Sequence, residues 1–391
     1  MKSRQPERRP GPELRILILN WRCPRNPRAG GAEAFTLEVV RRLVLRGHAV
    51  EWFSSSFPGA PAEESLDGVR IVRAGRQWTV HLAAFRRYKG MLARNFDLVV
   101  DEVNTIPFFT PLWSDVPTVM LIHQLAREVW WYESNFPLSA VGFVVEPRYL
   151  RLYRFVPVLT VSESTKADLL RLGFQGPITV VPEGLEPIAH LGVPKSSQPT
   201  FLYVGRIAPS KRIEHIVRAF ALFRQATGVG TLWLVGSGLP RYQASLAKLA
   251  KKLGVDARVI FTGRVSSGEK HRLMAAAHAV LMTSVREGWG LTVSEAGACG
   301  TPSIVYNVPG LRDSVRNEVT GLVVPPRPED LCGAMRRLIG DSALYSRLVA
   351  ESKRWSQTLS FDESARLVLE TLERTLASFE PRRRAVQPPS H

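Results

Sequence analysis

Cysteine is scarce. Cys23, Cys299 and Cys332 are the only three in 391 residues, and their spacing matches neither a disulfide framework nor a thiolate metal site. A reducing cytoplasm suits such a chain. No apolar run approaches the roughly 18 residues that a membrane-spanning helix needs. The longest, Leu14–Leu19 and the stretch around Val141–Val145, fall well short. Leu14–Leu19 is also too short for an export signal and reads as a strand, so export is not expected. The chain has no Asp-x-Asp triplet and no histidine pair at ligand spacing. A bound metal, and Mg²⁺-assisted binding of an anionic substrate, are therefore not expected. Zinc-finger spacing and RNP-type motifs are missing as well, which argues against a nucleic-acid partner.

Acidic residues are the minority charge: 35 Asp and Glu face 52 Lys and Arg, for a net charge of +17. The excess is uneven. Residues 22–94 hold 13 basic against 6 acidic residues, and residues 95–195 hold 7 against 11. Such a surface attracts an anion, whether substrate phosphates or a membrane, unless it reflects only an arginine-rich composition.

With 45% hydrophobic and 22% charged residues the chain is globular, and its length favours two domains. Apolar runs alternate with helical patterns. Strands are expected at Leu14–Leu19, Val50–Phe53, Phe96–Val100, Thr118–Ile122, Val158–Val161 and Ile178–Val181, with helices at Gly31–Arg46 and Ser164–Leu172. The pattern restarts at Phe201 after a segment, 187–199, that holds three prolines. This alternation predicts an α/β fold with two Rossmann-like domains facing across a cleft. The expected divisions are a first domain at 14–186, a linker at 187–199, a second domain at 200–354 and a terminal helix at 355–380. Disordered ends are expected at 1–13 and 381–391.

Three loops carry chemistry. In Glu287-Gly288-Trp289-Gly290-Leu291-Thr292-Val293-Ser294-Glu295, a strand leads through small residues into a helix. Backbone amides there can approach an anion. Glu287 on the loop and Glu295 in the first helical turn can flank a sugar and a ribose. In Gly205-Arg206-Ile207-Ala208-Pro209-Ser210-Lys211-Arg212, cations at a strand's end can neutralise a diphosphate, Arg206 as a fork and Lys211 as a point charge. Gly30-Gly31, at the start of the first helix, suits phosphate contact from the opposite domain. His123 closes the Thr118–Ile122 strand, at the end where open sheets bind ligands. Each feature alone also fits a plain polar turn or a structural histidine.

Together the Arg206/Lys211 loop, the glutamates eight positions apart and the Gly30-Gly31 loop resemble the family 4 (group 1) retaining glycosyltransferases of the GT-B fold. The resemblance runs from about Leu14 to Phe379. It implies an N-terminal acceptor domain, a C-terminal donor domain and a terminal helix that crosses back onto the first. It further implies transfer of a sugar, with retained configuration, from a UDP- or GDP-sugar to an acceptor hydroxyl, without cofactor or metal. Arg206 and Lys211 would hold the diphosphate, Glu295 the ribose and Glu287 the sugar hydroxyls. Gly30, Gly31, Gly205, Gly288, Trp289, Gly290, Leu291 and Thr292 would line the donor, and His123 would lie near the transferred sugar. The acceptor would be a glycan, a glycolipid or a small natural product, with the enzyme in the cytoplasm or peripheral on the inner face of the membrane. Two departures bear on the acceptor: Gln124 follows His123 where an Asp is common, and Glu183-Gly184-Leu185-Glu186 replaces an Asn-Gly-hydrophobic-Asp run. Two rival functions are a nucleotide-sugar epimerase on the same plan and a non-catalytic basic binder of membrane or nucleic acid.

Overall fold

The computed structural model describes residues 13–188 and 192–379. The ends expected to be disordered, Glu13 apart, lie outside them. The first sheet holds β1 (Arg15–Leu19), β2 (Ala49–Ser54), β3 (Glu63–Leu66), β4 (Val69–Arg73), β5 (Leu98–Glu102), β6 (Thr118–Ile122), β7 (Val158–Thr160) and β8 (Ile178–Val180). Their order is β3-β4-β2-β1-β5-β6-β7-β8. All neighbours are parallel except the β3–β4 hairpin. The second sheet holds β9 (Thr200–Val204), β10 (Thr231–Val235), β11 (Val259–Gly263), β12 (Ala279–Met282), β13 (Ser303–Tyr306) and β14 (Gly321–Val324), all parallel, in the order β11-β10-β9-β12-β13-β14.

The continuous apolar runs follow from burial on both faces. In β1, Ile16 and Ile18 pack with the helix Gly31–Leu45, whereas Leu17 and Leu19 pack with the helix Val80–Tyr88 on the other side. The second sheet works likewise. Ile213, Ile216, Val217, Phe220 and Phe223, at helical spacing, bury one face of the helix Ile213–Thr227.

Each sheet reverses its winding once, between β1 and β5 in the first and between β9 and β12 in the second. The crevices left beyond those strand ends are where open α/β sheets bind ligands. Gly30-Gly31 follows β1, Arg206 follows β9 and Glu287 follows β12. The returning helix spans Phe361–Ala377, so it starts later than the expected Trp355. Trp355 ends the preceding helix, Ser342–Ser356, and Ser360 begins the next by accepting a hydrogen bond from the Asp362 amide. Phe361, Ala365, Val368 and Leu372 bury themselves in the core of the first domain. Arg42 clamps this helix through Asp362 and reaches Glu186 as well.

Candidate active site between the two sheets

The two crevices face each other and the structure is closed. Gly288 packs against His123 so tightly that a Cβ on it would lie 3.0 Å from the His123 carbonyl oxygen and 3.1 Å from its Cβ. The Trp289 side chain leaves its own domain and joins the core cluster of the other. A Cβ on Gly31 would sit 3.6 Å from Leu291. Ion pairs reinforce the closure: Arg286 bonds Glu128 and Asp168, and Arg206 bonds Glu133.

Arg206 extends from the loop after β9, and its two terminal nitrogens hold the Glu133 carboxylate at 3.0 and 3.2 Å. The Ser210 hydroxyl donates to the same carboxylate. Burial alone would raise the Glu133 pKa, but the Ser210 bond and the Arg206 charge outweigh it and hold it below the usual range. Lys211 bonds Glu287, which also accepts from the Ser210 neighbourhood's counterpart across the loop, the Ser284 hydroxyl, at 2.6 Å. Arg212 turns away to the carbonyls of Thr283 and Ser284, tying the β9 loop to the β12 loop. The loop after β10 braces the same structure. A Cβ on Gly236 would fall 1.9 Å from the Gly205 carbonyl oxygen, and one on Gly238 would fall 1.7 Å from that of Ile207.

Two placements differ from the sequence expectation. The helix after Gly290 begins at Leu291, so Glu295 lies in its second turn rather than its first. There it bonds Lys270 at 2.6 Å. The Gly30 amide donates to Glu33 at 2.7 Å, so it serves as a helix cap in this state instead of facing an anion. Glu33 is fully buried, and Arg22 and Asn104 satisfy its other oxygen. Gly205 and Thr292 lie under the site; Thr292 reaches the Val204 carbonyl.

His123 sits among acids. Its Nδ1 lies 3.2 Å from Glu183 and its Nε2 3.7 Å from Glu102. Burial disfavours the imidazolium, but the Glu183 bond and the charges of Glu183, Glu102 and Glu33 prevail, and the His123 pKa is raised. Burial lifts the Glu102 carboxyl to about 7. Glu183 is also raised, chiefly by burial. His123 Nε2 and Glu102 Oε1 have no hydrogen-bond partner. Glu183 is the residue that departs from the common Asn, and here it orients the histidine ring.

Sequence reasoning missed Glu133, Lys270, Glu102 and the Gly236–Gly238 brace. A glycine pair directly after β10 carried a signal for the brace. Nothing in the sequence marks Glu133, because its partner Arg206 lies 73 positions away. Part of the positive charge over residues 22–94 is neutralised within the fold. Arg22, Arg25, Arg41, Arg42, Arg70, Arg73 and Arg87 all have acidic partners. Tyr88, set between Arg87 and Lys89, is buried and donates to Glu51.

Two Rossmann-like units closing on cations and carboxylates at their switch points define a GT-B transferase. The family model for Glycosyltransferase Family 4 matches residues 29–187, and that for group 1 glycosyl transferases matches residues 192–355. A D-inositol 3-phosphate glycosyltransferase from Rhodococcus opacus is 35% identical over 386 residues, covering 88% of this chain and 85% of the relative. Another of that name, from Nocardioides, is 27% identical and covers 89% and 86%. Among solved structures, sucrose-phosphate synthase from Thermosynechococcus elongatus superposes with a TM-score of 0.78 at 22% identity, covering 94% of this chain and all of that one. Anabaena HepE, solved with UDP and glucose, gives 0.72 at 18%, covering 93% and 100%. The chain belongs to the family 4 (group 1) glycosyltransferases.

Proposed function

We propose that this glycosyltransferase takes a hexose from a UDP- or GDP-sugar and passes it, with retained configuration, to an acceptor hydroxyl. One observation carries the reading: Arg206, Ser210 and Lys211 converge on carboxylates, at a sheet switch point, where a diphosphate would bring the same negative charge. On donor entry Arg206 and Lys211 exchange Glu133 and Glu287 for the diphosphate oxygens. They then stabilise the charge that develops as the glycosidic bond to phosphate breaks. This arrangement needs no metal, because two side-chain cations meet the leaving charge. Glu287, freed from Lys211, turns to sugar hydroxyls, and Glu295 binds the ribose. The acceptor hydroxyl attacks on the face the nucleotide leaves, and its proton passes to the leaving phosphate. Closure over Trp289 keeps water from the donor.

The expected product is traced by proton NMR of the anomeric signal. UDP- and GDP-hexoses would be supplied with candidate acceptors, including an inositol phosphate because the curated relatives carry that name. Retained configuration supports the reading, and inversion overturns it. Release of a free epimerised sugar without any acceptor would favour the epimerase.

A further inference from the structure

The helix Leu138–Leu150 is inside out. Its inward residues are Ser139, Gly142, Glu146 and Leu150. Its outward stripe is Leu138, Val141, Val144 and Val145, with Val141 53% and Val144 51% exposed. In a water-facing helix, burial places the valines inward and the acid outward. Here the buried acid is fixed by two neighbours: Glu146 accepts from the amides of Ala126 and Arg127. Gly142 lets the helix lie directly on the Trp130 ring, where a Cβ would clash at 2.3 Å. The inward face is thus complete, and the valines are left about half exposed.

The apolar surface continues beyond the helix. Phe136 is 82% exposed before it, and Leu152 and Phe155 are exposed in the short 3-10 segment Arg151–Tyr153 and the turn that follows it. Trp131 is half exposed and packs on Phe143 with ring centroids 5.6 Å apart. The exposed charges interleaved with these residues are Arg148, Arg151 and Arg154. Both acids between residues 131 and 155 are engaged, Glu146 inward and Glu133 with Arg206. An apolar face of this extent, whose only unengaged charges between residues 131 and 155 are arginines, fits an anionic lipid surface: the side chains enter the headgroup boundary while guanidinium groups stay at phosphate level. A protein partner would need matching acids, whereas a bilayer supplies them at every headgroup.

We propose that the Trp131–Phe155 face docks this enzyme on an anionic bilayer. The site is distinct from the basic segment 22–94, where seven of the twelve arginines have acidic partners. Docking also brings the membrane to the reaction cleft, because the short helix Trp130–Glu133 touches the donor loop at Arg206 and Ser210. The position favours an acceptor that resides in the bilayer.

The test is co-sedimentation of the full chain with vesicles of phosphatidylcholine alone or with phosphatidylglycerol added, at low and high salt. Wild type should bind the anionic vesicles, and less so in high salt, because exposed charges are screened over about 10 Å at 0.1 M. The double variant Val141→Glu, Val144→Glu alters only exposed positions and should keep the wild-type melting curve. Its vesicle binding should fall on the order of tenfold or more, since apolar contact is lost and like charge is added. Leu82→Glu, an exposed apolar position on the 22–94 side, should bind as wild type. Three results would overturn the proposal. Wild type does not bind anionic vesicles at low salt; the double variant binds as wild type does; or wild type dimerises without lipid and the double variant is monomeric, which gives the face to a second copy.

Discussion

At the residue scale the site is an arrangement of charges waiting to change partners. Glu133 occupies the Arg206 guanidinium, so under the proposed function donor binding would release it. Glu133→Gln removes the competitor's charge while keeping its shape. Nucleoside diphosphate affinity should rise by roughly two- to fivefold, because Arg206 is largely exposed and such screened pairs contribute about 1 kcal/mol or less. Calorimetry reads this directly, and unchanged or weaker binding would show that Glu133 does not compete. The buried cluster makes a different prediction. Glu102, Glu183 and His123 all have raised pKa values. Each therefore holds a proton in the folded state at a pH where the unfolded chain has released it, and stability falls as pH rises. For Glu102 the decline starts above the ordinary carboxylate range and is complete above about 7. Glu102→Gln should flatten the fall in melting temperature between about pH 5 and 8 and be the more stable protein at the upper end. An identical pH profile in wild type and variant would remove Glu102 from the account.

At the element scale the donor loop depends on its neighbours more than on its own sequence. Gly236 and Gly238 let the β10 loop lie against the carbonyls of Gly205 and Ile207. Gly236→Ala should cost roughly 1–3 kcal/mol of stability through a strained backbone and a displaced Gly205, and weaken nucleotide binding with it. A variant that unfolds like wild type in denaturant and binds nucleotide equally would show that the brace is not needed. The same scale shows what a sequence can reveal. Strands buried on both faces, such as Thr118–Ile122 and Thr231–Val235, stand out because no polar residue interrupts them. The β3–β4 hairpin was not anticipated although Asp67-Gly68, both at positive φ, marks its turn. Its strands Glu63–Leu66 and Val69–Arg73 carry charges, so apolar periodicity is weak. The helix Leu138–Leu150 escaped for the opposite reason: its valines face outward, so its pattern points to the wrong side. The site loops were legible through their glycines and charged pairs. The partners Glu133, Lys270 and Glu102 were not, since only the fold brings them within reach.

At the scale of the whole molecule, two sheets with matching switch points close on one cleft, and the helix Phe361–Ala377 ties the second half of the chain to the first. No helix among the described residues is long and apolar enough to cross a membrane. The central claim is that Arg206 and Lys211 bind a nucleoside diphosphate without help from a metal. Isothermal calorimetry of UDP and GDP, with EDTA present, tests it most directly on wild type, Arg206→Ala and Lys211→Ala. One of the two nucleotides should bind wild type in EDTA. Each substitution should reduce that affinity and cost about 2–4 kcal/mol in transfer, the range for a lost charge-stabilising donor. Absence of binding until Mg²⁺ or Mn²⁺ is restored, or wild-type affinity in both variants, would contradict the account.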